Sequence, residues 1–414
     1  MRNRRNRRDP AGWLVLTSWA VVVLPRLVQT FTVTKYRATV GAGVPESPWS
    51  VQAERGLEVV LILLCTGIVA RRARSLPTRG GLRLAVLLAP WGFMILRDLS
   101  QGTGPKIASV VYPFVVVAVW ALQPRLTALR PLGVLVGLTA ALSLALGVLT
   151  PERAIFTSFT GDQISPTKQL LPWGVLIGPF SDPNNLAQFL VLGLPAVSLL
   201  RGWLQRAGFA VLTVCAIVWT SSRSSLGAVA AAALVSLLLV PLRPVTRRLV
   251  ARAVALVLAT ALVAVPLTTQ DDSAFTNRGF IWRQGLRTWG EAPWLGHGSN
   301  WYAEAGRYVN SLGQLAFHGH NQFVHTLVTG GLVYLALMVL LILVLVSAAG
   351  TWAEQGNGYP AVYLAGFLVS CTLEVSFGVV DRSFLLAVTV VPMAFFAFAV
   401  PGVPATPAGA GVTR

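Results

Sequence analysis

Charge is scarce in this 414-residue chain. Only 12% of its residues are Asp, Glu, Lys or Arg and 54% are hydrophobic, whereas a soluble protein carries roughly a quarter charged residues. A folded soluble core cannot hide that much apolar surface, which excludes soluble multidomain enzymes, disordered chains and collagen-like chains. Cysteine is scarce too: Cys65, Cys215 and Cys371 each lie inside an apolar run. Thiols there behave as small hydrophobes, so a disulfide scaffold and a CxxC metal site are excluded. Acidic residues number 15 against 33 basic ones, for a net charge of +18. A nucleic-acid binder gathers its basic residues on one wet face with aromatics between them. Here short basic clusters alternate with apolar runs, and no nucleic acid is expected as a partner.

What the chain has in abundance is apolar runs of bilayer length, twelve of them: 13–28, 54–71, 84–97, 107–122, 131–149, 186–200, 207–221, 224–242, 250–267, 322–348, 360–378 and 383–400. The fold class expected is all-α: a polytopic membrane protein of about 12 transmembrane helices, with a long external loop region before the tenth. If the Arg-rich start stays in the cytoplasm and each run crosses once, 19 basic and 2 acidic residues fall inside, a net +17. The remaining 14 basic and 13 acidic fall outside, a net +1. That asymmetry is the positive-inside pattern of a multi-pass bacterial cytoplasmic membrane protein with both termini cytoplasmic. The basic start and first run read as an uncleaved first helix, because eleven further spans follow and no small-residue cleavage site stands out. Residues 1–414 form one integral membrane domain, and 401–414 is a flexible cytoplasmic tail.

The chemistry is expected outside, where three connections are long: 29–53, 150–185 and 268–321. All four histidines, His297, His318, His320 and His325, fall within 29 residues at the end of the last. Histidine is the side chain that can act as a neutral base near pH 7. His297, between glycines, and His325, on the first turn of the next helix, read as ordinary structural residues. His318 and His320 stand in FHGHNQFVH, where Asn321 is a good N-cap; a helix N-terminus there would keep the His320 imidazole neutral, as a base requires. Zinc is the competing reading for a His-x-His pair. No Cys is near it in sequence and acidic residues are few, so no metal and no cofactor is expected.

Two arginines draw attention as anion contacts. Arg223 in TSSRSSLGA follows Ser221 and Ser222, which can cap the next helix, so hydroxyls, backbone amides and a guanidinium converge. Arg278 in TNRGFIWRQGLRTWGEAPWLGHG follows the possible cap Asn277, with Trp282 and Arg283 one turn on. It has no acidic neighbour in sequence, which favours a ligand contact. For Arg283, Arg287 and Trp289 an interfacial anchor competes with a binding role. The stretch 171–190, LPWGVLIGPFSDPNNLAQFL, is too short to span and is interrupted by Gly174, Gly178 and Pro179. A re-entrant or surface-lying piece is expected there, ended by Asp182 as an N-cap. A polytopic transporter is the reading from another class; within the expected spans only Glu58 and Glu374 are acidic.

SDPNNLAQF, SSRSSLGA, NRGFIWRQGL followed by PWLGHG, and HGHN followed by TLVTGGLVYL resemble, in order and spacing, the landmarks of the O-antigen ligase and polymerase family. The resemblance covers roughly residues 170–345. It implies an integral membrane glycosyltransferase of GT-C type. Such an enzyme moves a glycan from undecaprenyl diphosphate to a glycan, lipid or protein hydroxyl outside the membrane, without metal and with inversion. Related members are surface-polysaccharide polymerases and protein O-oligosaccharyltransferases. Carried onto this chain, the resemblance makes His320 the catalytic base with His318 beside it, and Arg223 and Arg278 the diphosphate contacts. Asp182, Asn184, Ser222, Trp282, Arg283 and Asn321 are further expected substrate contacts. The catalytic loop is then 268–321, with 150–185 a second external loop.

Overall fold

The structure is a computed structural model that describes residues 9–33, 46–104, 107–156, 169–302, 318–379 and 382–401. The Arg-rich start, most of the tail, and parts of the three long connections lie outside the described residues. In chain order the helices are α1 (Pro10–Thr32), α2 (Pro48–Arg72), α3 (Gly81–Ser100), α4 (Ile107–Leu122), α5 (Arg130–Leu149), the single turn α6 (Pro151–Ala154) and α7 (Pro183–Gly193). They continue with α8 (Trp203–Trp219), α9 (Arg223–Leu239), α10 (Pro244–Thr268), α11 (Ala274–Glu291), α12 (Gln322–Glu354), α13 (Tyr359–Leu373) and α14 (Val390–Phe398). Each of the twelve apolar runs is helical over most of its length, with 3-10 turns at Leu194–Leu199 and Ser383–Val388 completing two of them, while 374–378 lies beyond the end of α13. Four helices are long and apolar enough to cross a membrane on length and composition: Pro10–Thr32, Leu126–Leu149, Pro244–Thr268 and Gln322–Glu354. All three cysteines are free.

The all-helical expectation needs one small amendment. Residues 171–182, expected as a re-entrant or surface-lying piece, form an extended, turn-rich segment whose β2 (Val175–Leu176) pairs antiparallel with β1 (Ile155–Phe156). Val175 to Phe180 are buried, with Ile177 N–H donating to the Ala154 carbonyl at 2.8 Å and the Pro179 carbonyl receiving the Thr30 hydroxyl at 3.3 Å. Its glycines and proline forbid a helix, so the segment satisfies its backbone through strand pairing and neighbouring side chains instead.

Four helices carry the site from one end of the bundle. α9 and α13 lie antiparallel, Gly366 against Ala228 and Gly227 against Val369, which brings the Arg223 end of α9 to the Leu373 end of α13. α10 and α12 pack side by side. α12 is broken at Gly331 (φ 64°, ψ −162°), a backbone conformation open essentially only to glycine. The opened ladder is filled by residues 293–298: His297 and Gly298 donate to the carbonyls of Val328 and Thr329 at 2.8 Å, and Leu332 donates to Pro293 at 2.9 Å. The two motifs PWLGHG and TLVTGGL therefore meet, each satisfying backbone groups the other exposes.

Candidate functional site

Beyond the end of α13 the chain turns at Glu374, which is buried at 1% side-chain exposure. Sequence reading had put this residue within a span; the helix ends one residue before it. Its carboxylate forms an ion pair with the Arg278 guanidinium through Oε1. Its other oxygen, Oε2, faces His320 Nδ1 at 3.5 Å and His318 Nε2 at 3.8 Å. Arg278 has no acidic neighbour in sequence, and its partner comes from 96 residues away. Arg278, His318 and His320 keep 16%, 14% and 18% of their side-chain surface open, enough for each to meet a ligand.

The local structure that holds these groups begins at His320, whose backbone is left-handed (φ 45°). Its N–H donates to His318 Nδ1 at 3.1 Å. That bond requires Nδ1 of His318 to be the acceptor nitrogen, so the proton of the neutral ring sits on Nε2, toward Glu374. The two imidazoles lie 4.0 Å apart, centre to centre. Burial, and then the charges of Arg382, His320, His325 and Arg278, hold the His318 pKa well below its ordinary value. Burial pushes the Glu374 carboxyl up, but Arg278, His320 and Arg382 together outweigh it and leave it below the usual carboxylate range.

Two residues after His320 lock the arrangement. Asn321 caps α12, accepting the Val324 N–H at 3.0 Å, while its amide nitrogen donates to the carbonyls of Leu262 on α10 and Thr372 on α13. Gln322 accepts from the N–H of Ser376 and Phe377 and donates to the Phe377 carbonyl at 2.8 Å. Together they tie the start of α12 to the loop that carries Glu374. From below, Trp282 Nε1 donates to the His320 carbonyl at 3.2 Å.

The other expected substrate contacts are placed as follows. Trp282 is fully buried against Tyr302, Val324 and Val328, and supports His320 without reaching the surface. Asn321 is fully buried with its amide and carbonyl both engaged. Ser222 is buried, within 3.2 Å of the hydroxyls of Ser224 and Ser225, and does not cap α9 through its side chain. Arg283 is paired with Asp272 and donates to the Gln270 carbonyl, closing the loop before α11. Asn277 is not a conventional cap: Phe275, Thr276 and Asn277 all have positive φ, and regular helix starts after them.

Asp182 caps α7, accepting the Asn184 N–H at 2.8 Å. Burial raises its pKa to about 6, with the Glu374 charge adding to the rise and His320 opposing it, so it stands near the cluster. Arg223 is the first residue of α9 and is exposed. His297 Nε2 lies 2.9 Å from the Thr288 carbonyl, and His325 is buried in a stack on Tyr302, as structural histidines. Glu374 and Gln322 are the residues sequence reasoning missed; an acid at the end of an apolar run was the one available signal for Glu374.

Ligand atoms of His318, His320 and Glu374 all lie within 4.8 Å of one another, a set that a divalent cation could use. Acidic residues are few near the histidines in sequence, and Glu374 comes to them from the end of α13. Arg278 on the same carboxylate, with Arg382 close enough to act on His318, opposes a cation electrostatically.

The fold and site define a helical membrane protein with a histidine–carboxylate–arginine cluster at one end of its bundle. Residues 208–339 match the family model described as O-antigen ligase. The chain is 30% identical over 203 residues to the exopolysaccharide production protein ExoQ of Rhizobium meliloti (strain 1021), covering 42% of this chain and 45% of the relative. It thus spans less than half the length of that protein. Both findings support the O-antigen ligase and polymerase family for this chain, and the matched segment holds Arg223, Arg278, His318 and His320.

Proposed function

We propose that the protein is a metal-independent glycosyltransferase that moves a glycan from undecaprenyl diphosphate to an acceptor hydroxyl on the external face of the bacterial cytoplasmic membrane. The observation that carries this reading is the contact of His320 Nδ1 with Glu374, 3.5 Å apart. A carboxylate at Nδ1 holds the ring as the Nδ1–H tautomer and leaves Nε2 with the lone pair of a base. In the reaction, Nε2 of His320 removes the acceptor hydroxyl proton, the oxygen attacks the anomeric carbon, and the bond to the diphosphate oxygen breaks on the opposite side. The electron pair leaves with undecaprenyl diphosphate, and the anomeric configuration inverts. Arg278 gives Glu374 one edge of a guanidinium with five N–H donors, so further donors serve the departing diphosphate. Arg223, at the same end of the bundle, is the second diphosphate contact.

Twelve crossings with cytoplasmic termini belong to this proposal, supported by twelve helical runs and by the charge asymmetry. The similarity to an exopolysaccharide production protein favours a growing glycan as acceptor, hence a polymerase, over a lipid acceptor. A metal-assisted variant is the second reading, on the spacing of His318, His320 and Glu374. Proteoliposomes given an undecaprenyl-diphosphate-linked glycan test both. The expected result is donor-dependent product and released undecaprenyl diphosphate, unchanged by EDTA. Loss of activity with EDTA, restored by zinc, supports the second reading, and no donor consumption with any acceptor contradicts the proposal.

A further inference from the structure

At the end of α13 away from Glu374 the bundle contains a cavity of about 770 Å³. Tyr359 lines it and Glu374 follows the other end of the same helix, so the two sites are separated by roughly 22 Å of helix at 1.5 Å per residue. Arg130, Arg201, Arg206 and Arg247 all line the cavity, and among the described residues no carboxylate does. Glu354, next in sequence to the lining residues Ala353 and Gln355, is engaged with Arg248 at 3.2 Å.

These arginines are held by helix-end carbonyls. Arg130 Nε donates to Leu199 at 2.8 Å, Arg206 to Leu200 and Arg201, and Arg247 to Leu239 and Val240, both at 2.9 Å. Such bonds fix a guanidinium without neutralising it. Among the described residues Arg130 spends only Nε this way, and Arg201 makes no side-chain hydrogen bond. The Tyr359 hydroxyl is buried with no hydrogen-bond partner. Four cations around one hollow repel each other unless an anion joins them.

We infer that this cavity is a second binding site, for a phosphate-bearing ligand, with the head group of an anionic phospholipid as the source its position favours. The inference rests on this cavity and not on the glycan-transfer reading. By the charge distribution this end faces the cytoplasm, where basic pockets between helices meet anionic lipid. The volume exceeds what inorganic phosphate occupies and suits a head group.

The test uses the purified full-length protein and measures lipids retained by native mass spectrometry and thermal stability in nanodiscs. Phosphatidylglycerol should be retained in preference to phosphatidylcholine and should raise the melting temperature. R201Q and R130Q should each weaken retention roughly fivefold to tenfold, as loss of one charge-assisted contact predicts, while R130K keeps most of it. If pyrophosphate, and not phosphatidylglycerol, stabilises the wild type and loses that effect in R201Q, the phosphate ligand is soluble and the site stands. Equal retention of both lipids with no response to pyrophosphate, or R201Q and R130Q behaving as wild type, overturns the inference.

Discussion

His320 Nδ1 and Glu374 Oε2 stand 3.5 Å apart across 54 residues of sequence, one just before α12 and the other just after α13, and are held in register by the side chains of Asn321 and Gln322. The carboxylate faces two groups at once, the imidazole at Oε2 and the Arg278 guanidinium at Oε1. Base and anion site are therefore one electrostatic unit. Glu374→Gln keeps the shape and removes the charge. Transfer should fall by about 10²- to 10³-fold, the usual worth of an oriented base, with donor binding changed little. An unchanged turnover number in a reconstituted transfer assay would remove Glu374 from the mechanism.

Arg278→Gln should act mainly on the donor. Loss of one charge-assisted contact to the diphosphate predicts a penalty of roughly 2 to 4 kcal/mol shared between donor binding and transfer. Arg278→Lys restores the charge but not the fork that can hold carboxylate and phosphate together, so it should recover only part. Titration of lipid-linked donor against each variant checks this, and a change confined to acceptor affinity counts against it.

His318 and Asp182 give the fold opposite responses to pH. The folded His318 pKa lies below its unfolded value of about 6.5. The unfolded chain then binds the proton more readily, and stability falls as pH drops below about 6.5. Asp182, raised to about 6, binds its proton more tightly when folded, so its contribution improves as pH falls through 6 and is poorest above it. His318→Gln should flatten the acid side of a melting-temperature profile. Asp182→Asn, which keeps an N-cap, should raise the neutral and alkaline side. Profiles that parallel the wild type in both variants would contradict the assigned shifts.

Asn321→Ala strips two buried carbonyls, Leu262 and Thr372, of their donor and α12 of its cap. A cost of about 2 to 4 kcal/mol follows from unsatisfied buried groups and the lost cap. Since Asn321 adjoins His320, transfer should fall with stability; a variant as stable as wild type would show that α12 is anchored elsewhere.

Gly331→Ala meets a harder obstacle. Its Cβ would lie 2.4 Å from the Trp294 backbone in a conformation that disfavours any side chain. Hydrogen exchange should report residues 293–298 released from α12, with the helix otherwise protected. Protection at wild-type levels there would contradict the interlock.

Much of the bundle was legible from the chain because apolar runs and basic clusters are local signals: each run is helical over most of its length, and the Asp182 and Asn321 caps are where Asp-Pro-Asn and His-Asn-Gln placed them. His318, His320 and Arg278 were legible as polar outliers beside apolar sequence, and the structure brings them to one carboxylate. What stayed hidden is pairing at a distance. Glu374 read as an isolated acid in a span because nothing in its neighbourhood names Arg278. Trp282 read as a substrate contact because Arg and Trp at helical spacing on α11 look the same in sequence whether the ring is open to a ligand or buried as a prop. The extended segment 171–182 shows its glycines and proline in sequence but not the α6–β1 partner that satisfies its backbone.

The central claim is that His320 is the base of a glycan transfer whose donor is held by other residues. Purified wild-type protein and His320→Ala, each given undecaprenyl-diphosphate-linked glycan and acceptor in single-turnover conditions, test it with donor binding measured in parallel. The account predicts transfer slowed by at least about 10²-fold and donor affinity close to wild type. Transfer by His320→Ala at the wild-type rate would contradict it.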